Sequence, residues 1–224
     1  MKDYLAGVTT ILWKDVLTEL RTKDILLSVF VFALLSLVIF SFALRADRAT
    51  VAVIAPGVLW AAFSFSGILA LNRAFATERE KGSLEGLVIT PVPRDAIYFG
   101  KMLGVLIFML AAEIVLLPVF LVLFNVPLDL PRLLPIIFLA TLGFASVGTV
   151  FSAIAVNTRS REIMLPVLFL PVVVPVIISA VEASARVMAG EPWDNLSVWL
   201  QVLVAFDVIF VVVSSLVFEY VLEE

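Results

Sequence analysis

Cysteine and histidine are both missing from the 224-residue chain. Their absence excludes disulfides, thiolate nucleophiles, histidine-based zinc sites and any Ser–His or Cys–His catalytic pair within this chain. Charge is scarce as well: Asp, Glu, Lys and Arg make up 15% of the residues, against roughly 25% in a typical globular chain. The formal net charge is −4, so the chain carries no basic footprint for nucleic acid. What is abundant is apolar surface. Hydrophobic residues account for 62% of the sequence, where roughly 45–50% is usual. A soluble domain of this size cannot bury so much apolar surface, and the expected solvent is the lipid bilayer.

The fold class read from the pattern is an all-α integral membrane protein. Apolar runs long enough to cross the hydrocarbon as helix occur at Ile25–Leu44, within Val51–Leu71 (entered through Pro56), at Met102–Val126 (interrupted by Glu113), at Leu133–Val156 and Ile163–Val181, and at Leu196–Phe218 (interrupted by Asp207). The runs are continuous rather than alternating with period two, which argues against a β-barrel. Six transmembrane helices are therefore expected, with a very tight link from Asn157 to Glu162 between the fourth and the fifth. Gly143 and Gly148 mark the fourth span for close helix contact.

An even number of spans places both termini and the second and fourth links on one side. That side bears Lys2, Lys14, Arg21, Lys23, Arg73, Arg79, Lys81, Arg94, Lys101, Arg159 and Arg161, whereas the other bears Arg45, Arg48, Arg132 and Arg186. The positive-inside rule makes the first side cytoplasmic. Residues 1–24 show no cleavable signal pattern, since Asp3 and Asp15 interrupt them. Leu5, Val8, Leu12, Val16 and Leu20 recur there at helical spacing, with Trp13 near the headgroups. The segment reads as an amphipathic helix on the cytoplasmic membrane surface, in preference to a brace packed on the bundle. Residues 25–218 then form the transmembrane domain and 219–224 a cytoplasmic tail. Trp193 and Trp199 read as an outer aromatic belt.

No segment outside the spans is long enough for an independent soluble domain. The only Gly-Lys pair is Gly100-Lys101, and a phosphate-binding loop would need Gly in place of Asp95 and Ser or Thr in place of Met102. Energised work must therefore draw on a partner chain, and no enzymatic activity is expected of this one. The informative link is Asn72–Lys101, NRAFATEREKGSLEGLVITPVPRDAIYFGK. Thr77 and Glu80 suit a capping box. Gly82-Ser83 permits a change of direction, Leu84, Leu87 and Val88 form a short apolar stripe, and Pro91 and Pro93 end it. The acidic Glu78, Glu80 and Glu85 beside Arg79 and Lys81 make a mixed-charge surface. Residues 76–95 thus suit either a stubby helix across the cytoplasmic end of the bundle or an ordinary solvated loop.

The run E-x-E-x-G-S-L-E-x-L, followed by Pro and then Gly-Lys, resembles the cytoplasmic signature of type-2 ABC exporter permeases. Glu78, Glu80, Gly82, Ser83, Leu84, Glu85, Leu87, Pro91, Gly100 and Lys101 occupy its positions. The stretches APGVLWAAFSFSGILALNRAFATERE and MLPVLFLPVVVPVII resemble the haem exporter protein B (CcmB) family, the permease subunit of the cytochrome c maturation transporter, over nearly the whole chain. The resemblance implies that the segment 76–95 is a coupling helix seated in an ATPase subunit. It also implies a second copy of the chain, a haem-handling membrane subunit and a small membrane subunit as partners, and a bacterial inner membrane location. Haem would be the cargo of the complex and ATP would be bound by the partner, with no cofactor held by this chain. The same motif serves type-2 exporters of lipids, drugs or glycans, which commonly carry a larger outer domain than these short links allow.

Two carboxylates lie inside spans, Glu113 in the third and Asp207 in the sixth. An ionisable residue there costs about 2.5–3.5 kcal/mol on insertion scales and is a functional candidate by default. Each suits either a polar contact on a transport route or dimer seam, or a plain interhelical hydrogen bond; Thr141, Ser146 and Thr149 are the partners available to Glu113. An intramembrane aspartyl protease would need the two acids brought together, and nothing around either supports that chemistry. Pro166, Pro171 and Pro175 each remove a backbone donor from the fifth span, which is expected to be kinked or broken into half-helices, either as a moving element or as a passive bend. Haem iron is usually held by His, Cys, Met or Tyr. A chain without the first two is expected to transmit work and to leave haem ligation to another subunit.

Overall fold

The computed structural model describes residues 2–43, 48–75, 92–126, 129–156, 158 and 160–221. Among them the chain forms helices α1 (Lys2–Thr22), α2 (Asp24–Ala43), α3 (Arg48–Ala74), α4 (Arg94–Phe124), α5 (Leu130–Val156), α6 (Arg161–Met188) and α7 (Trp193–Val221). Helices α2 to α7 contain the 6 segments long and apolar enough to cross a membrane. They coincide with the apolar runs and overshoot them at most ends, because a helix continues past such a run wherever its next turn still has something to pack on. The largest overshoot is at the start of α4, eight residues before Met102 by the bounds of that helix. Pro93, with φ −55° and ψ 140°, is its N-cap. Asp95 complements the dipole of the first turn and accepts the Ala96 N–H at 2.9 Å. Ala96, Ile97 and Tyr98 are buried at once, so the helix is held by packing rather than by lipid. At the other end Asn125 adopts the left-handed conformation (φ 48°) and donates its N–H to Leu121 O, a helix stop with Pro127 close behind.

Helix α5 is the centre of the bundle. Of its most apolar stretch 72% is buried, against 17% for α2 and 22% for α7, and it touches α3, α4, α6 and α7. Its composition explains the position: Gly143, Ala145, Ser146, Gly148 and Thr149 let four neighbours approach. A Cβ on Gly148 would collide with the Leu71 side chain of α3, and one on Gly143 would lie 2.8 Å from Asp207 Oδ1 of α7. Helix α2 packs on α3 and α4, and its other faces, including Leu27, Leu35, Ile39 and Phe42, are exposed.

Helix α6 runs uninterrupted from Arg161 to Met188 with Pro166, Pro171 and Pro175 inside it. Of the two outcomes expected from the sequence, a kink or a break into half-helices, the break does not occur. Each proline removes a single N–H, and the clash with the carbonyl four residues earlier can be taken up as a bend when the ring has free space. Pro171 and Pro175 lie on the exposed strip of α6 with Ile163, Val167, Val174 and Ile178, where no neighbouring helix crowds them.

Helix α1 packs against α4. Its apolar stripe is divided: Val8 and Ile11 are buried, whereas Leu5, Trp13 and Leu20 are more than half exposed, at 56%, 63% and 58%. The turn into α2 is made by Lys23 in the left-handed region (φ 60°). The buried Glu19 caps α2 by accepting the Leu26 N–H at 2.7 Å.

Candidate functional site

The residues matched to the coupling signature, Glu78, Glu80, Gly82, Ser83, Leu84, Glu85, Leu87 and Pro91, lie outside the described residues. What the structure describes is the frame on both sides of them. Helix α3 ends at Ala74 and α4 begins at Arg94. Phe75, fully buried, sits against Phe218 of α7 with ring centroids 6.3 Å apart, and Phe218 in turn lies 5.4 Å from the Tyr98 ring of α4. The Tyr98 hydroxyl donates to Ser146 O of α5 at 3.2 Å, and Arg94 Nη1 donates to Glu219 O at 3.3 Å. The end of α3, the start of α4 and the end of α7 therefore form one aromatic block, tied to the central helix by a neutral hydrogen bond.

Lys101 is the polar member of this block. It is 2% exposed. Its ammonium lies 3.0 Å from Asp15 Oδ2 of α1, donates to Ala74 O at 3.1 Å, and sits 5.0 Å from the centroid of the Phe75 ring. A buried ammonium requires such company, since losing water without charged and hydrogen-bonding partners is costly. Nearby, the Tyr4 hydroxyl is held above its ordinary pKa by burial and then by the adjacent Asp95 carboxylate, a second polar contact between α1 and α4. The sequence marked Asp15 only as a charge interrupting residues 1–24, which did not signal this pairing. The one available signal was that Lys101 abuts an apolar span with no acid three, four or seven residues away on its own helix.

The two intramembrane carboxylates are separated by α5. Glu113 is 3% exposed, and the Thr141 hydroxyl lies 3.0 and 2.9 Å from its two carboxyl oxygens. Of the three partners open to Glu113, Thr141 is the one it meets. Ser146 and Thr149 donate to Gly143 O and Ala145 O of their own helix. Asp207 is 5% exposed and faces Gly143 on another side of α5, and neither of its oxygens has a hydrogen-bond partner among the described residues. Across the bundle the Trp60 indole of α3 donates to Ser184 Oγ of α6 at 2.9 Å, an interhelical bond that no sequence pattern signalled. At the end remote from the termini, Arg132 donates to Glu191 O at 3.0 Å and lies over Trp193, while Arg186 pairs with Glu182 at 2.6 Å and lies over Trp199. Both tryptophans that read as interfacial are thus stacked on arginines.

Comparison with known proteins gives one consistent family. The family described as CcmB protein matches residues 6–223. The chain is similar to Heme exporter protein B of Pseudomonas aeruginosa, 27% identical over 176 residues that cover 78% of this chain and 79% of that protein. It is likewise similar to Heme exporter protein B of Paracoccus denitrificans, 32% identical over 66% of this chain and 69% of that protein. The protein of the same name from Bradyrhizobium diazoefficiens is 27% identical over 83% of this chain and 84% of its own length.

Proposed function

The chain belongs to the CcmB protein family, and from that premise we propose that it is the transmembrane permease subunit of an ABC transporter complex for cytochrome c maturation. It couples ATP hydrolysis by a partner subunit to haem export or delivery, or to release of the haem-loaded periplasmic chaperone. The observation that carries the reading is the pairing of an E-x-E-x-G-S-L-E-x-L segment with a packed frame at both of its stems. Residues 78–91 dock on the ATPase, and the frame of Phe75, Tyr98, Lys101 and Phe218 conveys the displacement into the bundle. The chain works as two copies beside two ATPase subunits, a haem-handling membrane subunit and a small membrane subunit. It spans the inner membrane with both termini in the cytoplasm, as the distribution of Lys and Arg favours, and α1 lies along the cytoplasmic face with Trp13 and Leu20 toward lipid.

A chain with no histidine or cysteine lacks two of the four usual axial ligands for haem iron, which favours chaperone release over passage of haem through these helices. A haem-stained gel of c-type cytochromes from cells lacking the gene tests the reading. Loss of all covalently bound haem, restored by the wild-type gene and not by Glu85→Lys, is the expected result. Cytochromes untouched by the deletion would leave only a type-2 permease for a lipid, drug or glycan. A stoichiometric Soret band on the purified chain alone would refute the absence of haem ligation.

A further inference from the structure

Helices α1 and α4 approach more closely than side chains normally allow. A Cβ on Gly100 would lie 2.8 Å from Ile11 Cβ and 3.2 Å from Val8 O, and a Cβ on Gly7 would lie 2.9 Å from Val92 Cγ1. This approach brings Asp15, on a neighbouring turn of α1, to 3.0 Å from the ammonium of Lys101. The same ammonium donates to the carbonyl of Ala74, the last residue of α3. Residue 74 stands directly before Phe75 and the link, and α4 starts directly after Pro93. Both stems of the link therefore meet at one buried cation, and Asp15 adds a third helix to the same point.

A buried ion contributes little net stability compared with apolar packing of the same volume, but its partners fix geometry; here the ammonium is the buried member, while Asp15 is 14% exposed and also lies 3.1 Å from Lys14 Nζ. A pair placed at the junction of three helices, beside the segment that receives the stroke, acts on register rather than on cohesion. We propose that Asp15 and Lys101 are positioning residues that form a latch: they hold α1, the end of α3 and the start of α4 as one body, so that displacement of residues 76–91 moves the bundle instead of flexing the stems. The Gly-Lys of the signature is then a structural unit in which the glycine admits α1 and the lysine grips it. The inference rests on the reading of residues 78–91 as the ATPase-coupling segment.

The test uses the assembled complex, with the chain co-expressed with its ATPase and the other maturation subunits. Two readouts are normalised to the amount of chain in the membrane: ATP hydrolysis by the purified complex and matured c-type cytochrome in the cells. Lys101→Met removes the cation, whereas the isosteric Asp15→Asn removes the pair and leaves the bond to Ala74. Hydrolysis is expected to stay within about twofold of wild type while cytochrome yield falls about tenfold in Lys101→Met and less in Asp15→Asn, a loss of coupling within the usual range. The double variant is expected to be no worse than Lys101→Met, as for residues acting as one unit. A fall of both readouts in equal proportion, or no change in either, overturns the latch. If Lys101→Met does not accumulate, the same ratio in Asp15→Asn decides, and failure of both to accumulate makes the pair a folding element and overturns the proposal. Glu85→Lys separates the premises: without effect on hydrolysis or association it removes the coupling reading and the latch with it. If Glu85→Lys is effective while the ratios in the latch variants are unchanged, only the latch falls.

Discussion

The Glu113–Thr141 contact lends itself to a quantitative test, because its two partners are on different helices and are both buried. Thr141→Val removes the hydroxyl and keeps the shape, so no cavity accompanies the change. A buried carboxyl left without its donor costs about 1–3 kcal/mol in soluble proteins. Interhelical hydrogen bonds in membrane proteins measure lower, about 0.6 kcal/mol on average and about 1.7 at most, since the unfolded chain in lipid also finds partners. With both carboxyl oxygens within 3.0 Å of one hydroxyl and only 3% of Glu113 exposed, Thr141→Val belongs at the upper end, about 1–2 kcal/mol. Glu113→Gln, whose amide oxygen still accepts from Thr141, is expected to lose less than about 0.5 kcal/mol. Glu113→Leu with Thr141→Val is expected to be more stable than Thr141→Val alone, because replacing both polar partners removes the stranded group. The measurement is SDS-induced unfolding in mixed micelles followed by tryptophan fluorescence. Trp60 is a native reporter, lining the same packed seam as Glu113, Thr141, Phe63 and Phe144. If Thr141→Val unfolds at the wild-type midpoint, or if the double variant loses the sum of the two single losses, the contact is not an energetic pair and the argument fails.

Gly148→Val is expected to destabilise the bundle by about 1–3 kcal/mol through overpacking, because its side chain would run into Leu71; partial recovery in Gly148→Val/Leu71→Ala, read from the same unfolding curves, would identify the α3–α5 contact as the cause. Asp207→Asn is expected to raise the unfolding midpoint, by about 1–2 kcal/mol, since it removes an ionisable group from a site where an acid is costly and its oxygens have no partner among the described residues. A lowered midpoint would mean that the carboxyl is satisfied by a group beyond those residues, and a drop in cytochrome yield at raised stability would mark the acid as retained for activity.

Much of the architecture was legible from composition and run length. Six apolar runs matched to the thickness of hydrocarbon yield six helices at the places where they occur, and Gly143 and Gly148 on the fourth span lie at close contacts with α7 and α3. The ends of the helices were less legible. Charged residues stop an apolar count at Met102, yet α4 begins at Arg94 because Ala96, Ile97 and Tyr98 find partners outside the hydrocarbon. Of the two readings of the α6 prolines, the break into half-helices was too strong, since local propensity registers the missing donor and not the free space that lets the ring be accommodated.

By itself the sequence determined the solvent, the number of spans, the family and the absence of histidine and cysteine ligands. Those properties depend on the length of apolar runs and on which residue types are present. Only the tertiary structure decided that α5 is the centre, that Thr141 rather than Ser146 or Thr149 meets Glu113, and that Asp15 reaches Lys101. In lipid, a helix face turned to its neighbours and a face turned to the membrane are equally apolar, so hydrophobic periodicity loses the contrast that separates inside from outside in a soluble protein. Which polar group meets which is then settled by where small residues let backbones approach, and that is a property of helix pairs rather than of any one segment.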